Sequence, residues 1–421
     1  MTLVAVGILT AIGFASVYIA RQTNVTGIHG TSLSYAVFFF ALFLAAHLVA
    51  RFTVPFADAY LLPIAGLLAA VGLTEIYRLG PKDAFRQGLW IVIGVAFFAL
   101  TVYALRHDYR AIENYKYLFG LGAVALLFLP LLPGIGETVN GARLWVHFAG
   151  LQFQPGELGK IALIVFLAGY LEEKREVLAQ GRPKDWGPLL VIWGAAMLVL
   201  FATDDLGSGL LYFGIFLGML YVATARGVFV AAFLALFVVG AAGIYYVTPH
   251  VRERVSVWVD PWKHVHTSGY QITQSLYSIA HGGYGGTGFG KGTFYTLAAP
   301  GQKPAPLIPY LNTDFIYSAL AQELGLIGAA ALLLVFMLFV LRGFRTAIHA
   351  GDGFSKLLAA GLTFGFALQT FIIVGGILRI IPLTGITLPL VSYGGSSIVA
   401  NFLVLAGLML VSNRANRERG T

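Results

Sequence analysis

A polar interval at residues 252–312 contains the side chains of this chain that are best suited to proton transfer. Asp260, Lys263, His264 and His266 lie together in its first part, next to aromatic residues. An Asp or His beside a cation can act as a general base when burial and neighbours bring its pKa near the working pH. The same side chains could also be charges of a solvated loop, so both interpretations stay open.

A second group of ionisable side chains lies around QPGELGK. Glu157 and Lys160 are three residues apart, so on a helix they share one face and can pair. Ionisable residues at the ends of membrane spans are costly and are therefore functional candidates. With Arg143 of the upstream NGARLW they would suit a phosphate-bearing lipid, because Arg and Lys neutralise phosphate. The alternative is an ion pair that only stabilises its own helix.

Further acidic residues fall where helices are expected to begin. Asp204 is predicted to cap the helix that follows TDDLG, whereas Asp205 could either cap it or take part in a site. Thr313 is predicted to be an N-cap ahead of Asp314. For Asp314 and Glu323, capping and complementarity to the helix dipole are the expected roles.

Two glycine-containing motifs differ in what they imply. GYGGTG at residues 283–288 fits the pattern G-x-G-x-x-G, but no strand precedes it and no helix entry is indicated, so nucleotide binding is not expected. PLTGITLPLVSYGGSS at residues 382–397 breaks a helix at membrane depth. Such backbone is tolerated only when it is packed in protein or lines a cavity, which favours a cavity here.

The composition of the chain defines the elements that must position these residues. Of 421 residues, 58% are hydrophobic and 11% are charged, whereas soluble domains have about 25% charged residues. The chain is therefore predicted to be an all-α polytopic membrane protein. It has no Cys, which excludes disulfides and thiolate chemistry. The net charge of +8 is explained by basic residues next to membrane spans, so no nucleic-acid partner is expected.

The hydropathy pattern predicts about twelve transmembrane helices and one long extracytoplasmic loop. The predicted spans are 3–20, 32–50, 58–77, 88–105, 116–133, 157–172, 187–203, 207–223, 227–247, 314–341, 355–378 and 384–411. Within the loop, 252–268 is expected to be irregular and 270–280 to form a short amphipathic helix, with turns in the Gly- and Pro-rich remainder.

The distribution of Lys and Arg predicts the orientation of the chain. Fifteen of these residues fall in one set of short loops and seven in the other, which places both termini in the cytoplasm and the long loop outside. The expected organisation is two extra transmembrane helices in 1–51, a first part of the membrane core in 52–247, the loop in 248–313, C-terminal helices in 314–412 and a cytoplasmic tail in 413–421.

Six motifs in order carry a resemblance to a known family. They are NGARLW, FQPGELGKIAL, DLGSGLL, RVSVWVDPWKH to SGYQITQSL, NTDFIYSALAQELGLIG and PLTGITLPLVSYGGSS. Over residues 88–412 the chain closely resembles the SEDS proteins, the RodA and FtsW peptidoglycan glycosyltransferases. The resemblance implies an enzyme of the bacterial cytoplasmic membrane that polymerises lipid II, the undecaprenyl-diphosphate-linked disaccharide pentapeptide, beside a class B penicillin-binding protein. It implies no certain cofactor, although a divalent cation (Mg or Mn) could assist.

The resemblance also assigns roles by position. The residues that match functional positions of the motifs are Arg143, Glu157, Lys160, Asp205, Thr313, Asp314, Ser392 and Gly394, and we add Lys263 as a candidate for substrate binding. The presumed catalytic Asp of the family falls on His264, while Asp260 fills an earlier Asp or Asn position. His264 could replace that Asp as the base, Asp260 could move into the site, or the protein could be inactive or use another substrate.

Two functions of other classes compete with the glycosyltransferase. One is a flippase or transporter of lipid-linked precursors, which should carry polar residues at mid-membrane in several helices. The other is a catalytically inactive scaffold for a penicillin-binding protein, supported by the altered loop motif.

Overall fold

The computed structural model describes residues 2–22, 31–139, 142–148, 151–179, 183–295 and 306–420. The helices within these ranges are α1 (Thr2–Gln22), α2 (Thr31–Thr53), α3 (Leu61–Leu79), α4 (Pro81–Leu105), α5 (Lys116–Phe128), α6 (Pro155–Ala179), α7 (Pro183–Ala202), α8 (Leu206–Thr224), α9 (Gly227–Val247), α10 (Pro249–Val259), α11 (Tyr270–Gly282), α12 (Ile316–His349), α13 (Gly353–Ile377) and α14 (Gly395–Gly420). Short 3₁₀ helices occupy Tyr109–Tyr115, Leu129–Leu131 and Pro261–His264.

Each of the twelve predicted spans overlaps one of the long helices, which confirms the all-α multi-pass membrane fold. Within the described ranges, nine helices are long and apolar enough to cross a membrane, and α1 and α7 contain shorter apolar stretches. The remaining predicted span coincides with α6, whose Glu157 and Lys160 lie in its first two turns.

The structure corrects two boundaries. The last predicted span began at residue 384, but α14 begins only at Gly395, and residues 378–394 between α13 and α14 are not helical. The first part of the long loop was predicted to be irregular, which is wrong, because α10 and a 3₁₀ helix occupy it. Pro249 begins α10, and its fixed φ suits a first helical position. The predicted amphipathic helix is confirmed as α11. Residues 296–305 of the predicted loop lie outside the described residues.

A small sheet between α5 and α6 was not predicted. Its strands are β1 (Gly136–Val139), β2 (Ala142–Phe148) and β3 (Leu151–Phe153), in the order β1-β2-β3. Both pairings are antiparallel, and Val146 of β2 lies between Gly136 of β1 and Phe153 of β3. The sheet lies at the same end of the helix bundle as α10 and α11, and we call this end the loop end.

A buried carboxylate fastens the glycine-rich part of the long loop to the bundle. Glu323 of α12 accepts hydrogen bonds from the backbone N–H groups of Gly290 (2.6 Å) and Gly292 (3.0 Å). Arg78 at the end of α3 lies 3.3 Å from the same carboxylate. Gly286 has φ +81°, and a Cβ there would meet the Glu323 carbonyl oxygen, so this turn requires glycine. The interpretation of Glu323 as a helix-dipole residue is therefore wrong, since its carboxylate binds the loop.

The non-helical residues 378–394, which we call the interhelical segment, pack against several helices at the loop end. Gln369 of α13 donates to the Thr387 carbonyl oxygen at 3.0 Å. Gln87 of α4 donates to the Ser392 carbonyl oxygen at 3.1 Å and accepts from the Gly394 N–H at 3.2 Å. These side chains form hydrogen bonds with backbone groups that have no helical partner, as non-helical backbone at membrane depth requires.

Gly72 of α3 is where a helix backbone touches the interhelical segment. A Cβ at Gly72 would lie 2.3 Å from the Val391 carbonyl oxygen, whereas a Cβ at Gly88 of the neighbouring α4 would meet nothing within 4 Å. Ala favours a helix over Gly by about 1 kcal/mol, but overpacking costs about 1–3 kcal/mol.

We therefore expect Gly72→Ala to lower the apparent Tm in detergent by several degrees, because α3 must move away from the interhelical segment. The control Gly88→Ala should leave the Tm unchanged or raise it. Thermal unfolding followed by tryptophan fluorescence measures both variants. An unchanged Tm for Gly72→Ala would show that this contact does not determine the packing.

Candidate functional site

The Glu157–Lys160 pair forms as predicted, and it is buried. Lys160 Nζ lies 2.8 Å from a Glu157 carboxylate oxygen and 2.5 Å from Gln369 Oε1. The side chains of Lys160 and Glu157 are 6% and 11% exposed. An ammonium has three N–H donors, so one remains for a ligand. Gln369 also holds Thr387, and the pair is thus joined to the interhelical segment.

Asp205 lies close to this pair and caps α8. Its carboxylate accepts the Ser208 N–H at 2.9 Å. The pKa of Asp205 is raised, mainly because the carboxyl is buried and also because Glu157 is near. The hydrogen bonds of Ser208 and the charge of Arg254 act in the opposite direction. The prediction that Asp204 caps this helix is wrong, because Asp204 adopts φ +57° in the turn and Asp205 is the N-cap.

Arg254 of α10 brings the long loop over these carboxylates. The charged groups that act on its guanidinium are Asp205, Asp204 and Asp314. Arg254 is half-buried and also donates to His250 Nε2 at 3.0 Å. It is therefore a cation that faces three carboxylates from two distant parts of the chain, the turn before α8 and the turn before α12.

Thr313 and Asp314 do not begin α12 as predicted. The helix begins at Ile316 with Phe315 as N-cap, so the assignment of Thr313 as a cap is wrong. Thr313 instead donates to the Tyr310 carbonyl oxygen at 3.0 Å, in a turn where Tyr310 has φ +58°. Burial raises the pKa of Asp314 to about 6, while the Thr313 hydroxyl and Arg254 lower it.

Ser392 and Gly394 connect the interhelical segment to this turn. The Ser392 hydroxyl donates to the Thr313 carbonyl oxygen at 2.6 Å and accepts the Leu388 N–H at 3.0 Å. Gly394 binds Gln87 through its backbone N–H. Both residues therefore fix backbone, and any contact of theirs with a substrate remains a prediction.

Arg143 lies on β2 beside the bundle. Its guanidinium donates to the Leu132 carbonyl oxygen at 3.3 Å. It also packs against Gly136, where the Cβ of any other residue would lie 3.0 Å from Arg143 Nε. Arg143 is half-buried and belongs to the loop end. Its predicted sharing of a surface with Glu157 and Lys160 remains a prediction.

The candidate bases lie at the two ends of the 3₁₀ helix that follows α10, since Asp260 directly precedes this helix and His264 is its last residue. His264 Nε2 is 2.8 Å from the Ser256 hydroxyl, so one ring nitrogen is engaged with α10. Lys263 Nζ lies 3.2 Å from Asp260, and their side chains are 77% and 37% exposed. Lys263 is the main cause that lowers the pKa of Asp260, which is ionised at neutral pH.

Sequence analysis assigned no role to four residues that hold this end of the bundle together. Arg254 was present as the first residue of the motif RVSVWVDPWKH, but no role was given to it. Gln369 and Gln87 lie in apolar helices, where a polar side chain signals a partner to be found. Arg379 also binds the loop, because its guanidinium donates to the Trp258 and Val259 carbonyl oxygens.

The fold and the site together define a multi-pass membrane protein with a charged, partly buried site at one end of its helix bundle. The charges come from α6, the turn before α8, α10 and the turn before α12. A long loop covers this end.

Comparison with known proteins gives the family. Residues 52–418 match the family of FtsW, RodA and SpoVE, described as cell cycle protein. This chain belongs to that family. It is 40% identical over 431 residues to the peptidoglycan glycosyltransferase RodA of Mycobacterium tuberculosis, covering 97% of this chain and 89% of the relative. It is 34% identical over 378 residues to stage V sporulation protein E of Bacillus subtilis, covering 86% and 98%.

Solved structures support the same fold. A chain of a peptidoglycan synthase complex, reported for its coordination of polymerization and crosslinking, matches with a TM-score of 0.71 and 26% identity over 86% of this chain and 98% of that one. The rod shape determining protein RodA of Thermus thermophilus matches with a TM-score of 0.62 and 24% identity, over 87% of this chain and 98% of that one.

The buried ion pair gives a first test of this site. Lys160→Met leaves the Glu157 carboxylate without its counter-charge, which for a buried pair costs about 3–5 kcal/mol. We expect a clear fall in apparent Tm for Lys160→Met and recovery in the neutral double variant Glu157→Gln/Lys160→Met. Thermal unfolding in detergent checks both. An unaltered Tm in the single variant would mean that the pair has no stabilising role.

Asp314 gives a pH-dependent test. Its pKa rises from 3.8 to about 6 on folding, so the folded state binds the extra proton between these values and stability falls as pH rises through them. The loss is complete above about pH 6 and is at most about 3 kcal/mol. We expect the apparent Tm of the wild type to rise when pH falls from 7.5 to 5.

The variant Asp314→Asn should be more stable than the wild type at pH 7.5 and should lose this part of the pH dependence. The control is Asp260→Asn, whose carboxylate is partly exposed, and it should keep the wild-type pH dependence between pH 5 and 7.5. If Asp314→Asn and the wild type gave the same profile, the burial of this carboxyl would have no energetic consequence.

Proposed function

We propose that this chain is a peptidoglycan glycosyltransferase that polymerises lipid II into glycan strands. The observation that carries the proposal is the 40% identity over nearly the whole chain to a peptidoglycan glycosyltransferase RodA. The geometry agrees with it, since a lipid-linked diphosphate needs cations at a membrane boundary, and the loop end supplies them. Polar groups gather at this end, which favours surface chemistry over a transporter.

Three cations can hold the diphosphate. Arg254 is half-buried above the carboxylates, and its planar guanidinium can bind a phosphate with two parallel hydrogen bonds. Lys160 has one N–H left, and Glu157 and Gln369 fix its direction. Arg143 lies at the same end on β2. Charge stabilisation of a leaving diphosphate is the largest contribution that such a site can make.

Sugar transfer also needs a base. The hydroxyl oxygen of the acceptor sugar attacks the anomeric carbon of the donor, the bond to the diphosphate breaks, and the diphosphate leaves with the electron pair. The hydroxyl proton passes to His264 or Asp260. His264 has one ring nitrogen beyond its contact with Ser256, and Asp260 is ionised beside Lys263. Each group has a lone pair that can take this proton during the transfer.

A divalent cation would bind at this site together with the substrate. Within the described ranges no group of three or more His, Asp or Glu side chains is close enough to hold a metal ion alone. Mg²⁺ commonly binds through one or two carboxylates plus substrate phosphates. The carboxylates of Asp205 and Asp314 fit that pattern, and the ion would neutralise diphosphate charge.

The proposal includes orientation and a partner. The loop end faces outward and both termini are cytoplasmic, as the distribution of Lys and Arg predicts. The membrane is then the bacterial cytoplasmic membrane. A class B penicillin-binding protein is the proposed partner, supported by the match to a synthase complex that coordinates polymerization and crosslinking.

Polymerisation of purified lipid II by this protein with its cognate transpeptidase tests the function. We expect glycan polymer from the wild type, a loss of at least about 100-fold in the variant that lacks the base, and near-normal activity in the control His266→Ala, whose side chain is exposed. His264→Ala and Asp260→Ala are compared, and the one that loses activity identifies the base.

The neutral double variant Glu157→Gln/Lys160→Met should fold but polymerise poorly, because the diphosphate loses a cation. Absence of polymer from the wild type with an active partner would contradict the proposed function. Wild-type rates in both His264→Ala and Asp260→Ala would contradict only the assignment of the base.

A further inference from the structure

A second charged site lies at the opposite end of the bundle, where α12 and α14 end. Arg345 and His349 are four residues apart on α12 and so share one face, and Arg419 of α14 joins them. Arg345 and Arg419 are the charged groups that act on His349. Both arginines are exposed. Three nitrogen-bearing side chains from two helices therefore converge.

These cations line a cavity whose one described acidic side chain is already paired with another arginine. The cavity has a volume of about 190 Å³ and includes the 57–60 link as well as α12 and α14. Asp58 is the acidic residue among its described lining, and its carboxylate is 2.7 Å from Arg342, whose guanidinium also lies over the Tyr60 ring. Asp58 is thus committed to Arg342, and the cavity keeps an excess of positive charge.

An apolar groove continues from this cavity along α12. It has a volume of about 440 Å³ and is lined by Met337, Val340, Leu341, Phe344 and Ile348, and it shares Arg345 and His349 with the cavity. From Met337 to Ile348 the helix rises about 16 Å. The hydrocarbon core of a bilayer is roughly 30 Å thick, so this length is close to the depth of one leaflet.

We propose that the cavity and the groove together bind one anionic phospholipid. Its phosphate group lies between Arg345, His349 and Arg419, and one acyl chain lies along the groove. A soluble phosphate would use the cavity but not the groove, and a zwitterionic lipid would use the groove without matching the excess positive charge. The site is separate from the candidate catalytic site, because it lies at the other end of α12.

The physical chemistry of the boundary supports this occupant. Basic side chains at the end of a span extend their charge toward the headgroups while their stems stay on apolar surface. Basic pockets between transmembrane helices are suited to anionic headgroups, with about 1 kcal/mol for each Lys or Arg near the surface. Leu341 and Ile348 are 58% and 72% exposed, so an acyl chain would cover apolar surface.

The experiment measures lipid binding to the purified full-length protein in detergent, by native mass spectrometry and by the shift in apparent Tm. Four probes are used: phosphatidylglycerol, phosphatidylcholine with the same acyl chains, water-soluble glycerophosphoglycerol, and inorganic phosphate. We expect only phosphatidylglycerol to bind tightly. Its affinity should fall by about 30-fold in Arg345→Gln/Arg419→Gln.

The control is Arg51→Gln/Arg226→Gln, which removes the same charge from two exposed arginines at this end, one in the last turn of α2 and one in the link between α8 and α9. It should bind phosphatidylglycerol like the wild type. Leu341→Trp places a bulky side chain in the groove and should weaken the binding of phosphatidylglycerol. The shift in apparent Tm with inorganic phosphate should stay as in the wild type. Its side chain faces outward, so folding should be retained.

Three results would overturn the proposal. Equal binding of phosphatidylcholine would remove the role of the headgroup charge. Equal binding of glycerophosphoglycerol or inorganic phosphate would show a soluble anion site without a lipid chain. An equal loss of phosphatidylglycerol affinity in both double variants would show that the general positive charge of this end attracts the lipid and that no specific site exists.

Discussion

The interhelical segment, residues 378–394, is the constraint on which the loop end depends. A chain that leaves a helix at membrane depth must satisfy each exposed backbone group within the protein. Gln87 and Gln369 do so from two helices, and Ser392 does so from within the segment itself. The same bonds fix the turn at Thr313, because Ser392 binds its carbonyl oxygen and the Tyr393 N–H binds that of Asn312.

The position of the charges follows from this constraint. The amide N–H of Gln369 donates to the backbone of the interhelical segment, and its amide oxygen accepts a hydrogen bond from Lys160. One side chain therefore connects this backbone to the ion pair. Asp314 is held next to Arg254 by the turn that Ser392 fastens. Lys160 and Asp314 are thus held by polar contacts that involve the interhelical segment, whereas Asp205 is held by its own cap on α8. Preorganised charges of this kind need no rearrangement when a phosphate binds.

The sequence predicted the class of fold and much of the site, but not the contacts between distant parts. Hydropathy found all the long helices, and the three-residue spacing found the Glu157–Lys160 pair. Capping was misjudged at Asp204 and Thr313, because the backbone path of each turn depends on tertiary contacts such as that of Ser392. Gln369 and Arg254 were missed for the same reason, since their partners are distant in sequence.

A break at Gly325 explains how α12 can contribute to two different environments. Gly325 has φ +68°, and the N–H groups of Leu326 and Ile327 bind the carbonyl oxygens of Gly283 and Tyr284 in the long loop. Before the break, residues 316–323 are all buried among protein, and Glu323 holds the glycine turn. After it, the helix exposes apolar side chains such as Met337 and Leu341. The loop therefore completes the backbone hydrogen bonds of α12 where its side chains change from buried to exposed, so the loop packs as an integral part of the helix bundle and not as an appendage to it.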